Sequence, residues 1–249
     1  VATVDVQAVV PTQLVIDAVA DTSVSGSIMT ALQIGALDGT GSRLVGVEVT
    51  VALATGDGSL SGTLTQTTVD GAVDTAASFA DLVYTASADG ESFSLILGDG
   101  NLSVTTPELT ADVVASQFVL VTPAADALAV NGDIVSGSPF ATQPVIEAQD
   151  GAGARDIDFT GTVTATLGAG SGALAGGAVI DALAGVVPFV DLSYSATADA
   201  EAFQLSFDGT LPSVKADLTA DVVATRLAFT RQPAPRVDAR LRAGGSSQL

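Results

Sequence analysis

"LTADVVASQFVL" occupies residues 109–120 and "LTADVVATRLAF" residues 218–229, so one phrase returns 109 residues later. A phrase that recurs at long spacing marks an internal repeat, and other stretches extend it. "FADLVYTASADGESFSL" (79–95) aligns with "FVDLSYSATADAEAFQL" (189–205) at an offset of 110. "GDGSLSG" (56–62) aligns with "GSGALAG" (170–176), and "LDGTGSR" (37–43) with "QDGAGAR" (149–155). The offsets drift between 109 and 114, as small loop insertions would make them, one of four residues lying around Asp74–Ala77. The expected organisation is a strand at 1–11, repeats at 12–115 and 116–224, and a strand with a basic tail at 225–249.

Within each copy the local signal is strand. "VGVEVTVAL" (45–53) sets Val45, Val47, Val49, Val51 and Leu53 on one face, and "FTGTVTATL" (159–167) does the same from Phe159 to Leu167. "ESFSLIL" (91–97) turns Phe93, Leu95 and Leu97 inward, and "EAFQLSF" (201–207) turns Phe203, Leu205 and Phe207 inward. Period-two runs separated by Gly, Asp and Ser turns predict an all-β chain folded as antiparallel sandwiches. No segment sustains a helical period.

The pattern "ATRLAFTRQPA", then a strand ending in D-x-x-G, then G-x-L-x-G, then "GVVPFVDL", resembles bacterial immunoglobulin-like tandem repeats of large secreted surface proteins. The resemblance covers residues 12–235, and the first copy departs from it in its insertion and in lacking Q-P after its opening strand. It implies two tandem immunoglobulin-like sandwiches and an extracellular, cell-surface role that is structural or adhesive. It does not imply an active site, and the chain is expected to be non-enzymatic.

Composition narrows the chemistry. The chain has 249 residues, no Cys, no His, no Trp, nine Phe and two Tyr. Disulfides, thiolate or imidazole metal sites and His-dependent triads are therefore excluded. Paired carboxylates could hydrolyse a glycoside, but two Tyr and no Trp argue against a sugar-cleaving groove. A net charge of −20 repels nucleic acid and anionic membranes, so neither is an expected partner. No apolar run approaches the roughly 20 residues of a membrane span. Opening on Val1 suits a mature protein whose signal peptide has been removed.

Recurring Asp residues (Asp38 and Asp150, Asp81 and Asp191, Asp112 and Asp221) read as caps of turns, since Asp accepts backbone N–H bonds. No bound cofactor is expected unless it is Ca2+, and the candidate metal ligands are Asp150, Asp156 and Asp158, three carboxylates within nine residues. Tyr84 and Tyr194, at matching positions, are expected in the core with their hydroxyls bonded to backbone. Lys215 is the single lysine, and an amide crosslink to Asn131 would need both beside a carboxyl group; "NLS" at 101–103 is a formal glycosylation sequon.

The recurring phrase spans the closing strand of one unit and the opening strand of the next. "VDVQAVVPTQLVI" (4–16) resembles the same junction, and "TRLAFTRQPAP" (225–235) resembles another opening strand. Unpartnered apolar strands expose both backbone and side chains, so they are expected to fold back, to belong to a longer array, or to complete another molecule. Charge favours the last: residues 1–224 carry a net of −24 and residues 225–249 a net of +4. The expected partners are copies of the chain itself, joined head to tail as a homopolymer. The expected contact residues are Val4 and Val6 at one end, and Leu227, Phe229, Arg231, Arg236, Arg240 and Arg242 at the other. The rival is an adhesin stalk or accessory module binding glycan or calcium.

Overall fold

The computed structural model describes residues 9–71, 75–130, 132–229 and 231. The first twelve strands are β1 Gln13–Ala18, β2 Thr22–Val24, β3 Leu32–Leu37, β4 Glu48–Thr55, β5 Ser59–Ser61 and β6 Thr65–Thr67, then β7 Val69–Asp70, β8 Thr75–Phe79, β9 Val83–Thr85, β10 Glu91–Gly98, β11 Ser103–Thr105 and β12 Leu109–Asp112. The next ten are β13 Gln117–Thr122, β14 Ile134–Val135, β15 Val145–Gln149, β16 Thr162–Ala169 and β17 Ala173–Gly177, then β18 Val179–Asp181, β19 Val186–Pro188, β20 Val190–Ser195, β21 Glu201–Asp208 and β22 Val214–Asp221. No helix occurs among the described residues.

Strands β1-β3-β8-β7 form one sheet and β2-β12-β10-β4-β6 the facing one, with β11 on β10 and a separate β5–β9 pair. In the second half β13-β15-β19 face β14-β22-β21-β16-β18, with β17 paired to β20. Each half thus closes an immunoglobulin-like sandwich over its own apolar cluster. The opening strand of each half switches sheets. After β1 pairs antiparallel with β3, β2 crosses over to pair parallel with β12, and β13 and β14 repeat this against β15 and β22. These two parallel edges are where the pairing departs from the antiparallel expectation. They arise because one stretch of chain closes both layers.

Phe93, Leu95 and Leu97 are fully buried, as are Leu205 and Phe207, with Phe203 nearly so. The face expected to begin at Val45 begins later. Gly46 adopts φ +84°, which breaks the run, β4 starts at Glu48, and Val45 is left 59% exposed. Phe159 likewise lies ahead of β16 and packs edge-on against Phe118, their ring centroids 5.8 Å apart.

Each core is pinned by one tyrosine. Tyr84 stacks on Phe93 with ring centroids 3.8 Å apart, and Tyr194 stacks on Phe203 at 3.9 Å. Their hydroxyls accept from the Gly58 and Gly172 amides, as expected, but they also donate to carboxylates. Tyr84 Oη donates to Glu91 Oε1 at 2.6 Å and Tyr194 Oη to Glu201 Oε1 at 2.8 Å. The same Glu91 carboxylate accepts the amides of Asp57, Gly58 and Ser87, and Glu201 those of Ser171, Gly172 and Thr197. Gly56 and Gly170 enter this clamp at φ +116° and +123°, and a Cβ on either would lie 2.6 Å from the tyrosine oxygen.

Burial and the neighbouring Glu91 carboxylate push the Tyr84 phenol up to about 12. Burial opposes ionisation of Glu91, but the Tyr84 hydroxyl and three amides win and hold it at about 2. The Tyr194 hydroxyl and the amide bonds hold Glu201 at about 2 as well. Carboxylates depressed in the folded state contribute stability above the unfolded value of 4.5 and lose it as pH falls towards about 2. Tyr84→Phe is expected to cost about 1–2 kcal/mol and roughly 2–8 °C in thermal midpoint. Glu91→Gln is expected to melt well below the parent near neutral pH and to converge with it as acid removes the parent's advantage. Calorimetry across that pH range checks both, and a gap that persists undiminished at the acid end would refute the clamp.

Candidate functional site at the junction of the sandwiches

Residues 113–116 join β12 to β13, and the chain leaves one sheet here to enter the next. Backbone amides released from a sheet need acceptors, and Asp side chains supply them. Asp89, in the turn before β10, accepts Val113 N through Oδ1 at 2.8 Å and Ile157 N through Oδ2 at 2.9 Å, bridging both sandwiches. Asp156 accepts Ala115 N and Phe159 N, each at 2.8 Å. Ser25 Oγ accepts Ala86 N at 3.0 Å and donates to Asp150 Oδ2 at 3.4 Å. Ala154 of the second half packs into the first half's core. A cleft of about 530 Å³ remains between the halves, lined by Ser25, Ser27, Thr85, Val114, Ser116 and Asp150 among others.

Beside this crossing, one carboxylate oxygen each from Asp89, Asp112 and Asp158 lie within 4.8 Å of one another. Three hard oxygen donors so close are the partial ligand set of a divalent cation such as calcium, which takes six to eight oxygens. The hydrogen bond with Asp156 and that residue's charge push the Asp158 carboxyl above its ordinary value, with burial and then Asp112 and Asp89 adding to it.

The sequence-selected trio is divided by the fold. Asp158 joins Asp89 and Asp112, Asp156 stands beside Asp158, and Asp150 turns into its own loop, where Oδ1 accepts Ala152 N and Ala154 N at 2.9 Å each. Asp38 caps the matching loop of the first half through Thr40 N and Ser42 N. Asp89 and Asp112 were missed as partners of Asp158 because they lie far from it in sequence. Asp221, the counterpart of Asp112, is buried and accepts Val130 N instead. Lys215 is exposed on β22 opposite Ser206, and Asn131 lies outside the described residues.

At the other end of the molecule, residues 225–229 form no strand. Leu227 is 100% exposed and Phe229 91% exposed, and neither folds back onto the second sandwich; Arg231 is exposed too. Val4, Val6, Arg236, Arg240 and Arg242 lie outside the described residues.

Neither a protein-family model nor a curated protein matches the sequence. Among solved structures the chain is similar to a glycosyl hydrolase family 2 member from Bacteroides cellulosilyticus, with 12% identity, TM-score 0.37, and coverage of 79% of this chain and 23% of that one. It is similar to invasin, a bacterial integrin-binding protein, with 16% identity, TM-score 0.36 and coverage of 84% and 40%. It is also similar to domains 4–9 of the surface layer protein SbsC, with 14% identity, TM-score 0.28 and coverage of 87% and 32%. The chain thus spans between about a quarter and two fifths of the length of these three proteins. The expectation of a non-enzymatic protein is corrected by these matches. Glycosyl hydrolase and glucuronidase chains stand among them, at the level of a domain, so the similarity does not set this chain apart from enzymes.

A carboxyl whose folded value is raised stabilises the fold below its unfolded value of 3.8, and that contribution is lost as pH rises through the folded value. Asp158→Asn is therefore expected to raise the thermal midpoint at neutral pH in chelator and low salt, with the gain fading in acid. Asp89→Ala removes the acceptor of two amides and is expected to cost about 1–3 kcal/mol. It should also separate the unfolding of the two halves in calorimetry, whereas one sharp transition in the variant would show that the bridge does not couple them.

Proposed function

We propose that the chain is an extracellular structural subunit of a bacterial surface, built as two sandwiches clamped end to end and assembling head to tail through residues 225–231. The observation that carries this reading is the exposure of Leu227 and Phe229 in a segment whose sequence matches that of two paired opening strands, β1 and β13. "TQLVI" (12–16) and "SQFVL" (116–120) each set two apolar side chains two residues apart, and "TRLAF" (225–229) does the same. In β1 and β13 the first of each pair, Leu14 and Phe118, is buried and the second, Ile16 and Leu120, is half-buried. An inserted strand gains backbone pairing along its length and burial of alternate side chains. Arg226 and Arg231, with three more Arg beyond them, suit the acidic body of another copy and act on orientation more than on affinity.

The second reading, an adhesin stalk or accessory module within a larger surface protein, is favoured by the junction itself. Asp89 and Asp156 fix four amides from both sides of the crossing, which suits a stiff spacer. The two readings differ in self-association. Deleting residues 225–249 is expected to abolish polymers seen by electron microscopy and sedimentation for the full chain. Unchanged polymers after deletion, or a full chain that stays monomeric at high concentration, would reject the assembly reading and leave the spacer.

A further inference from the structure

The junction between the sandwiches is made of two half-interfaces, and the molecule carries a second copy of each. The rear half at the junction consists of Ser25, Asp89 and the strand exit at Asp112–Val113. At the far end of the second sandwich, Ser136 Oγ accepts Ala196 N at 2.9 Å as Ser25 accepts Ala86 N, and Asp199 Oδ1 accepts Val222 N at 3.0 Å as Asp89 accepts Val113 N. Gly137 N bonds Tyr194 O just as Gly26 N bonds Tyr84 O. The front half at the junction is the Asp150 loop with its neighbours, and the first sandwich repeats it. Asp38 caps the same turn, Leu44 N bonds Ala36 O as Asp156 N bonds Ala148 O, and Thr12 N bonds Leu37 O as Ser116 N bonds Gln149 O.

What distinguishes the two rear surfaces is their cover. Val113 is fully buried and Phe118 is 5% exposed where the second sandwich follows, whereas Val222 is 45% exposed and Leu227 fully exposed where none follows among the described residues. A surface that meets its complement once within the chain, and whose two unmatched halves are uncovered among the described residues, generates a head-to-tail contact when two copies meet.

We infer that the rear of the second sandwich receives the front of the first sandwich of another copy, in the arrangement of the internal junction, with residues 225–231 taking the place of β1 beside β3. This rests on the assembly reading above and gives it a register. Gln13 pairs with Leu37, Leu14 with Ala36 and Ile16 with Ile34 within β1–β3, and Ala18 with Gln33 beyond a bulge. Arg226, Leu227, Phe229 and Arg231 occupy the corresponding positions of the incoming strand, so Leu227 enters the slot of Leu14 and Phe229 that of Ile16. Among the described residues strand β1 pairs with β3 alone, so it is an edge strand that another strand can replace. Exchange of one strand for a near-copy conserves the strand contacts. The drive is then the end-to-end contact, which covers Val222 and offers the Asp199 carboxylate the amide of the next copy's Val45, the counterpart of Ile157. The front of the first sandwich carries Leu44 and Gly46 where the second has Asp156 and Asp158, so this contact lacks the acidic crowding of the internal junction.

The absence of Cys allows a direct test by disulfide capture. Arg231→Cys with Gln33→Cys uses two exposed positions, and Arg226→Cys with Leu37→Cys probes the other end of the register. Oxidation with copper phenanthroline at high protein concentration is expected to give a ladder of covalent oligomers from both pairs. Arg231→Cys with Thr50→Cys, on the opposite sheet, should give at most dimers. Polymers in sedimentation without a ladder from either pair would overturn the register while leaving assembly through the tail intact. An equal ladder from the Thr50 control would overturn it as non-specific capture. A chain that stays monomeric throughout would overturn both the register and the assembly reading.

Discussion

Backbone amides that leave a sheet must find an acceptor, and in this molecule carboxylates supply it at nearly every turn that matters. Asp38 and Asp150 cap matching loops, Asp89 and Asp199 hold the exits of matching strands, and Glu91 and Glu201 gather amides around a tyrosine. Small, Gly-rich turns leave many such amides open, and Asp reaches them with the shortest charged side chain. The acidic composition therefore has a structural origin before it has any bearing on solubility or salt. Where several of these carboxylates converge, at Asp89, Asp112, Asp156 and Asp158, the same device produces repulsion that the fold tolerates.

The halves agree where cores are built and differ where surfaces meet. Tyr84 and Tyr194, Phe93 and Phe203, and Leu95 and Leu205 occupy equivalent core positions. Yet Asp156 and Asp158 replace Leu44 and Gly46, so only the internal junction is acidic on its forward side. A sandwich tolerates such changes because its loops project from a scaffold already closed by the strands.

Much of this was legible in the residues. Alternation identified Phe93, Leu95 and Leu97 and their counterparts as core, and the recurring phrase located the junction, because both signals are local. The glutamates were not legible as partners: each lies seven residues after its tyrosine in both copies, but a carboxylate among so many others carries no mark of what it will bond. The convergence of Asp158 with Asp89 and Asp112 was not legible. It depends on how two sandwiches stack, which no spacing within nine residues encodes, and proximity in sequence pointed to Asp150 instead. Val45 misled for a local reason: the alternation runs on through Gly46, whose left-handed backbone ends the strand.

The sheet-switching strand at the entrance of each sandwich has a mechanical consequence. Tension along the chain enters a sandwich through β1 or β13 and leaves through β12 or β22, and the entering chain lies beside the exit strand over the short parallel pairings of β2 with β12 and β14 with β22. Bonds that run across two strands pulled in opposite directions are loaded in shear and must yield together, whereas a hairpin pulled from its open end yields one bond at a time. The tyrosine–glutamate clamps sit beside this line, Glu91 paired with Ala111 of β12 and Glu201 with Ala220 of β22. Each sandwich is thus built to hold its length under pull until the entrance strand gives way.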